Sequence, residues 1–179
     1  MFNSVKLDRD EKKCKLYMLH GDLSEKQMET LYKNPKVKAM ITATHGEGFG
    51  LPLFEAAYTG IPVVAPGWSG HCDFLFMPSE NGKIKPMFLN VNYDIHPVPK
   101  EAVWDGVLQA DSQWCYPHEG SYKQKIRQVR KSYDKWLKRA EKLQSWIHEE
   151  FAEEKVYNDF LQSISESAGQ ADNFQVMVL

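Results

Sequence analysis

Between Val37 and Pro66 the chain reads VKAMITAT, HGEGFG, LPLFEAAYTG, IPVVAP: an apolar run, a glycine-rich loop, a helix and a second apolar run. VKAMITAT is mostly apolar on both faces, and IPVVAP reads as a buried strand. Strands of that kind are buried on both faces, and they belong to parallel sheets covered by helices. Pro52 is expected at the first position of the helix and Gly60 just beyond its end, the favoured asymmetry. The segment before it repeats the pattern. KLYMLHG (Lys15–Gly21) reads as a buried strand, and DLSEKQMETLYKN as a helix opened by a capping box of Ser24 and Gln27. Met28, Leu31 and Tyr32 share one face of that helix. Strand, helix, strand, helix, strand predicts an α/β fold with a parallel sheet flanked by helices.

Beyond Pro66 the pattern loosens. GWSGHCDFL reads as a loop and a short helix, and SENGKIKPMFLNVNY as edge strands around an Asn-Gly turn. Asp94 to Gly120 is expected to be a long irregular stretch, functional or packed by its own side chains. From Tyr122 onward Tyr122, Ile126, Val129, Tyr133, Trp136, Ala140, Leu143 and Ile147 recur at steps of four and three. Aromatics in the stripe and mostly basic flanks favour one or two helices against the sheet over a coiled coil. A last helix is expected over about Glu153 to Ile164. SESAGQADN then reads as a flexible linker, and FQVMVL as a strand or a frayed end. One domain over residues 1–165 with a tail over 166–179 is the expected organisation.

With 179 residues the chain can bury the core of one domain. A formal charge of −2 gives no footprint for nucleic acid or an anionic membrane. The start, MFNSVKLDRDEKKCK, lacks the apolar segment of a signal peptide. No run approaches the ~18 apolar residues of a membrane-spanning helix. Cys14, Cys72 and Cys115 are scattered and odd in number, which points to a reducing compartment and a cytoplasmic protein. No Cys/His spacing suits zinc, so no metal is expected.

The loop Thr44–Gly50 lies where a strand ends and a helix begins, the usual ligand position in an open α/β sheet. Unpaired N–H groups and a partial positive charge at the helix start favour an anion, phosphate above all. The Lys and Ser/Thr of a Walker loop are missing. The third glycine of a dinucleotide fingerprint is replaced by Leu51. Glu47 lies in the loop and Glu55 one turn into the helix among apolar neighbours. A carboxylate there needs hydrogen-bond donors, which vicinal hydroxyls supply. A phosphate at the helix start with a ribose diol one turn along describes a nucleotide diphosphate.

Glu47-x7-Glu55, with Gly-Phe-Gly-Leu-Pro between the acids and Gly-Ile-Pro-Val-Val-Ala after them, resembles the signature of retaining, nucleotide-sugar-dependent glycosyltransferases of the GT-B fold, family 4. The resemblance spans about Lys15 to Gly82 and the C-terminal helices; Met87 to Gly120 falls outside it. It implies a Rossmann-like domain, the C-terminal half of a GT-B fold truncated at its N-terminus. Glu55 would hold the ribose hydroxyls. Backbone N–H groups of Gly48, Phe49, Gly50 and Leu51 would meet the pyrophosphate and donor sugar. His45, beside the loop, is a candidate to bond a phosphate or merely to cap the strand. Glu47, the catalytic residue, would touch the transferred sugar near the reacting carbon. The loop HGDLS would flank the base. The donor is a nucleotide-diphosphate sugar, the acceptor a sugar or glycan hydroxyl, and no metal or other cofactor is implied.

The family's acceptor-binding half has no counterpart here. Nor do its diphosphate-binding Arg and Lys have a recognisable version among Lys6, Arg9, Lys12 and Lys13. This predicts a fragment that pairs with a missing N-terminal half or with a second copy. The alternative is a non-catalytic sugar-nucleotide-binding or assembly module. Paired carboxylates also serve glycosidases, but those stand on opposite sides of the scissile bond. His71, after GWSG, is expected close to where a sugar or acceptor would sit. Asp73 stands where the family often places an acid at the next helix start, a position that favours acids in any case. Trp104 and Trp114 are candidates for stacking on sugar rings or for core or lid packing.

Overall fold

The computed structural model describes Leu19 and residues 21–170, the last five of them by their backbone alone. The predicted strand at Lys15–Gly21 and the final FQVMVL fall almost wholly outside the described residues. Helix α1 (Glu25–Lys33) carries the expected capping box: Gln27 N–H donates to Ser24 Oγ at 3.4 Å, and Ser24 N–H donates to Gln27 Oε1 at 2.8 Å. Tyr32 closes the inner face of α1 and its hydroxyl donates to the Pro52 carbonyl at 3.3 Å.

Strand β1 (Met40–Ile41), helix α2 (Leu51–Tyr58) and strand β2 (Val63–Pro66) form the predicted strand–helix–strand unit. β1 and β2 run parallel with Met40 opposite Val63, though only two residues of the predicted Val37–Thr44 strand pair. Pro52 stands at the second helical position, not the first. The N–H groups of Leu53 and Phe54 both donate to Gly50 O at 2.9 Å, so the helix begins at Leu51. Proline loses nothing there, because first-turn donors lack intrahelical acceptors.

Helix α3 (Cys72–Leu75) leads into strands β3 (Phe76–Pro78) and β4 (Ile84–Pro86), an antiparallel pair turned through Asn81 and Gly82. Strand β5 (Leu89–Val91) then joins the main sheet parallel to β2, giving the order β1-β2-β5. The stretch expected to be irregular contains a second hairpin. Strands β6 (Tyr93–Pro97) and β7 (Gln113–Pro117) pair antiparallel over their whole length, each ended by a proline that cannot continue the ladder.

Helices α4 (Glu119–Lys131) and α5 (Tyr133–Glu150) share the predicted stripe, broken at Ser132 (φ −127°, ψ 45°), so no single coiled-coil helix forms. Helix α6 (Glu153–Gln170) continues past Ile164 into the predicted linker, where Glu166 and Ala168 are strong helix formers.

β2 divides the core. Val63 and Ala65 pack with Leu53, Ala56, Phe74, Leu143 and Ile147. Val64 packs on the other side with Leu89, Val91, Val129 and Trp136. All four β2 residues are buried, and each valine contributes about 1.5–3 kcal/mol by leaving water. The result is a mixed α/β structure with a small parallel sheet flanked by helices. Among the described residues no helix is long and apolar enough to cross a membrane.

Candidate functional site

Two turns meet at the carboxyl ends of β1 and β2. The first is the glycine-rich loop. Its backbone is clasped by the second, Gly67–Gly70: Glu47 N–H donates to Ser69 Oγ at 2.7 Å, and Gly70 N–H donates to Glu47 O at 3.1 Å. Ser69 adopts φ 73°, a left-handed conformation that costs a side-chain-bearing residue about 1–2 kcal/mol. Ser69 and Gly70 were not singled out by the sequence, although a Ser-Gly pair after a buried strand is a turn signal.

The first loop ends on Gly50 at φ 88°, where only glycine is at ease. A Cβ there would stand 3.2 Å from His71 Cβ and 3.4 Å from Glu47 Cβ, so Glu47 lies directly over the start of α2. Among the described residues none accepts from the N–H groups of Gly48, Phe49, Gly50 or Leu51. Leu51 is 62 % exposed, and the Phe49 ring leans on Phe54 and Phe74. The predicted loop residues thus come together, Glu47 half-buried among them with no described partner for its carboxylate.

Glu55 points elsewhere. It lines a pocket of about 310 Å³ between α1, α2 and α5, with Glu25, Tyr32, Tyr58, Gln144 and His148; Glu47 does not line it. Burial, and then the Glu55 carboxylate beside it, raise the Tyr32 phenol above its ordinary range. Gln144 Nε2 and His148 Nε2 both donate to Tyr58 O at 2.9 Å, closing the far end. With Glu25, Glu29 and Glu55 on its wall, against Lys33 already paired to Glu29, the pocket suits hydroxyls and not phosphate.

His45 is turned toward the second hairpin. Its Nδ1 donates to Cys115 O at 2.6 Å, and its own carbonyl accepts from Cys115 N–H at 3.0 Å. A carbonyl only accepts, so Nδ1 carries the proton and Nε2 of the neutral ring is an acceptor. Only the imidazolium would donate to a phosphate. His71 is fully buried, its Nε2 donating to Pro66 O at 2.6 Å and its Nδ1 without a partner among the described residues. It braces the end of β2 against α3 beneath the loop. Asp73 is exposed on the first turn of α3; Trp104, 67 % exposed, lies on the β6–β7 connection.

Burial pushes the Cys115 thiol up to about 11, helped by Cys72 nearby, and burial raises Cys72 as well. Neither supplies a thiolate nucleophile at neutral pH. Among the described residues no group of three or more His, Cys, Asp and Glu is placed to hold a metal ion. Comparison of the chain with protein-family models, with curated proteins and with solved structures gives no match.

Proposed function

We propose that this chain is the Rossmann-like, donor-binding half of a cytoplasmic retaining GT-B glycosyltransferase, which transfers a sugar from a nucleotide-diphosphate sugar to an acceptor hydroxyl. One observation carries the reading. The start of α2 offers backbone donors with no described acceptor, and the same helix one turn later presents Glu55 to an acidic pocket. Diphosphate and ribose diol have the matching polarity and order. The ~310 Å³ pocket falls at the small end of ligand sites, adequate for a nucleoside but not for a whole sugar nucleotide. The donor sugar would lie outside it, over Gly48 and Leu51, where Glu47 reaches its hydroxyls. Backbone donors would stabilise the leaving diphosphate, so the reaction needs no metal.

A thermal-shift titration with UDP, GDP, ADP and their sugars tests it. At ~100 times its dissociation constant a nucleotide adds about 2.7 kcal/mol, a shift of roughly 5–10 °C. No shift with any of them ends the proposal.

The exposed face of α6 favours a second reading, an assembly module. Val156, Tyr157, Phe160, Leu161 and Ile164 are each between 45 % and 62 % exposed on one helix. Such a surface calls for a second copy or a missing half. Sedimentation showing a monomer at high concentration would remove the second copy.

A further inference from the structure

The β6–β7 hairpin is the part of the chain that the donor reading leaves unused. Its register places Asp94 opposite Tyr116 and His96 opposite Trp114, so these four share one face. The other face turns inward: Cys115 is fully buried and the Tyr93 hydroxyl donates to Gly67 O at 2.9 Å. A hairpin covered on one face is expected to be plainly polar on the other. Here the outer face carries a run of rings, exposed at His45 and His96 and half-buried at Trp114 and Tyr116. His45 lies parallel to Trp114, centroids 4.8 Å apart and planes within 2°. It also meets Tyr116 at 4.8 Å, and His96 stands edge-on to Tyr116 at 5.5 Å. At one end Asp94 Oδ2 accepts from His118 Nε2 at 2.9 Å, with both side chains largely in water.

We propose that this face is a carbohydrate platform that seats the acceptor pyranose beside the glycine-rich loop. Aromatic rings offer flat apolar surface to the C–H face of a pyranose, and imidazoles and a carboxylate at the edge bond its hydroxyls. The Asp94 carboxylate, held by His118 at one end of the face, disfavours an anionic ligand, so neutral glycans are the fitting class. The position follows from His45, which is tied to Cys115 through both its ring and its carbonyl and stands two residues before Glu47. The assignment of the sugar as acceptor rests on the donor reading above; the platform itself does not.

The test is saturation-transfer NMR on the full chain with maltose, cellobiose and mannobiose at millimolar concentration, followed by the Trp114 indole resonance. Transfer to pyranose C–H protons with a shift of that resonance is expected. Trp114→Ala should weaken binding about tenfold. His96→Ala, a change at an exposed side chain, should weaken it too with an unchanged circular dichroism spectrum. Glu55→Gln should keep disaccharide binding while losing the nucleotide shift. Absence of transfer from all three sugars, or transfer unaltered in both hairpin variants, overturns the platform. Sugar binding without any nucleotide shift upholds the platform and removes the donor reading; a nucleotide shift without sugar binding does the reverse.

Discussion

A Cβ placed on Gly70 would lie 1.8 Å from the carbonyl oxygen of Gly48. The turn after β2 therefore touches the loop after β1 backbone to backbone, with no room for a methyl group. Gly70→Ala must push the two turns apart and break the bond from Gly70 N–H to Glu47 O. A loss of about 2–3 kcal/mol is expected, read as a lower urea midpoint at constant slope. An unchanged midpoint would mean that the turns do not meet as described.

Ser69 separates two effects. Ser69→Ala loses the bond to Glu47 N–H and keeps the left-handed strain, and should cost about 1 kcal/mol. Ser69→Gly loses the same bond but relieves the strain, and should come out near neutral. Equal midpoints for the two variants would contradict this division.

The two glutamates should fail differently. Glu55→Gln should abolish the nucleotide-dependent thermal shift, because Glu55 lines the pocket assigned to the ribose. Glu47→Gln should retain that shift while lowering sugar transfer roughly 10²–10³-fold. If both variants lose the nucleotide shift equally, the two roles are not separate.

Cys115 makes stability depend on alkaline pH. Its thiol is raised from 9.0 to about 11 by burial, so the unfolded chain ionises first. The contribution is fully present below pH 9 and is lost as pH rises toward 11, on the order of 1–2 kcal/mol. Urea midpoints between those limits should fall in the native chain and fall less in Cys115→Ala. Tyr32, raised by burial and by Glu55, adds to the same alkaline loss.

Local signals were readable in the sequence and tertiary ones were not. Ser24 and Gln27 announced α1 because a capping box is complete within four residues. Val63–Pro66 announced a buried strand because every side chain is apolar. The β6–β7 hairpin was missed because its outer face carries His, Trp and Tyr in place of ordinary polar residues, which blurs the period of two. Glu47 was legible as a loop acid, but not its clasp by Ser69 and Gly70, twenty-two residues on in the case of the Ser69 bond. Glu55 was legible as a half-buried acid; that it faces α1 and α5, away from Glu47, depends on helices distant in the chain.

The division of the core by β2 has a consequence for how the molecule opens. Val63 and Ala65 serve one cluster and Val64 the other, so losing the strand opens both clusters at once. The amide of Thr42, which donates to Val64 O, should exchange with deuterium only through global unfolding. The solvent-facing turns of α6, joined chiefly to α5, should exchange long before it.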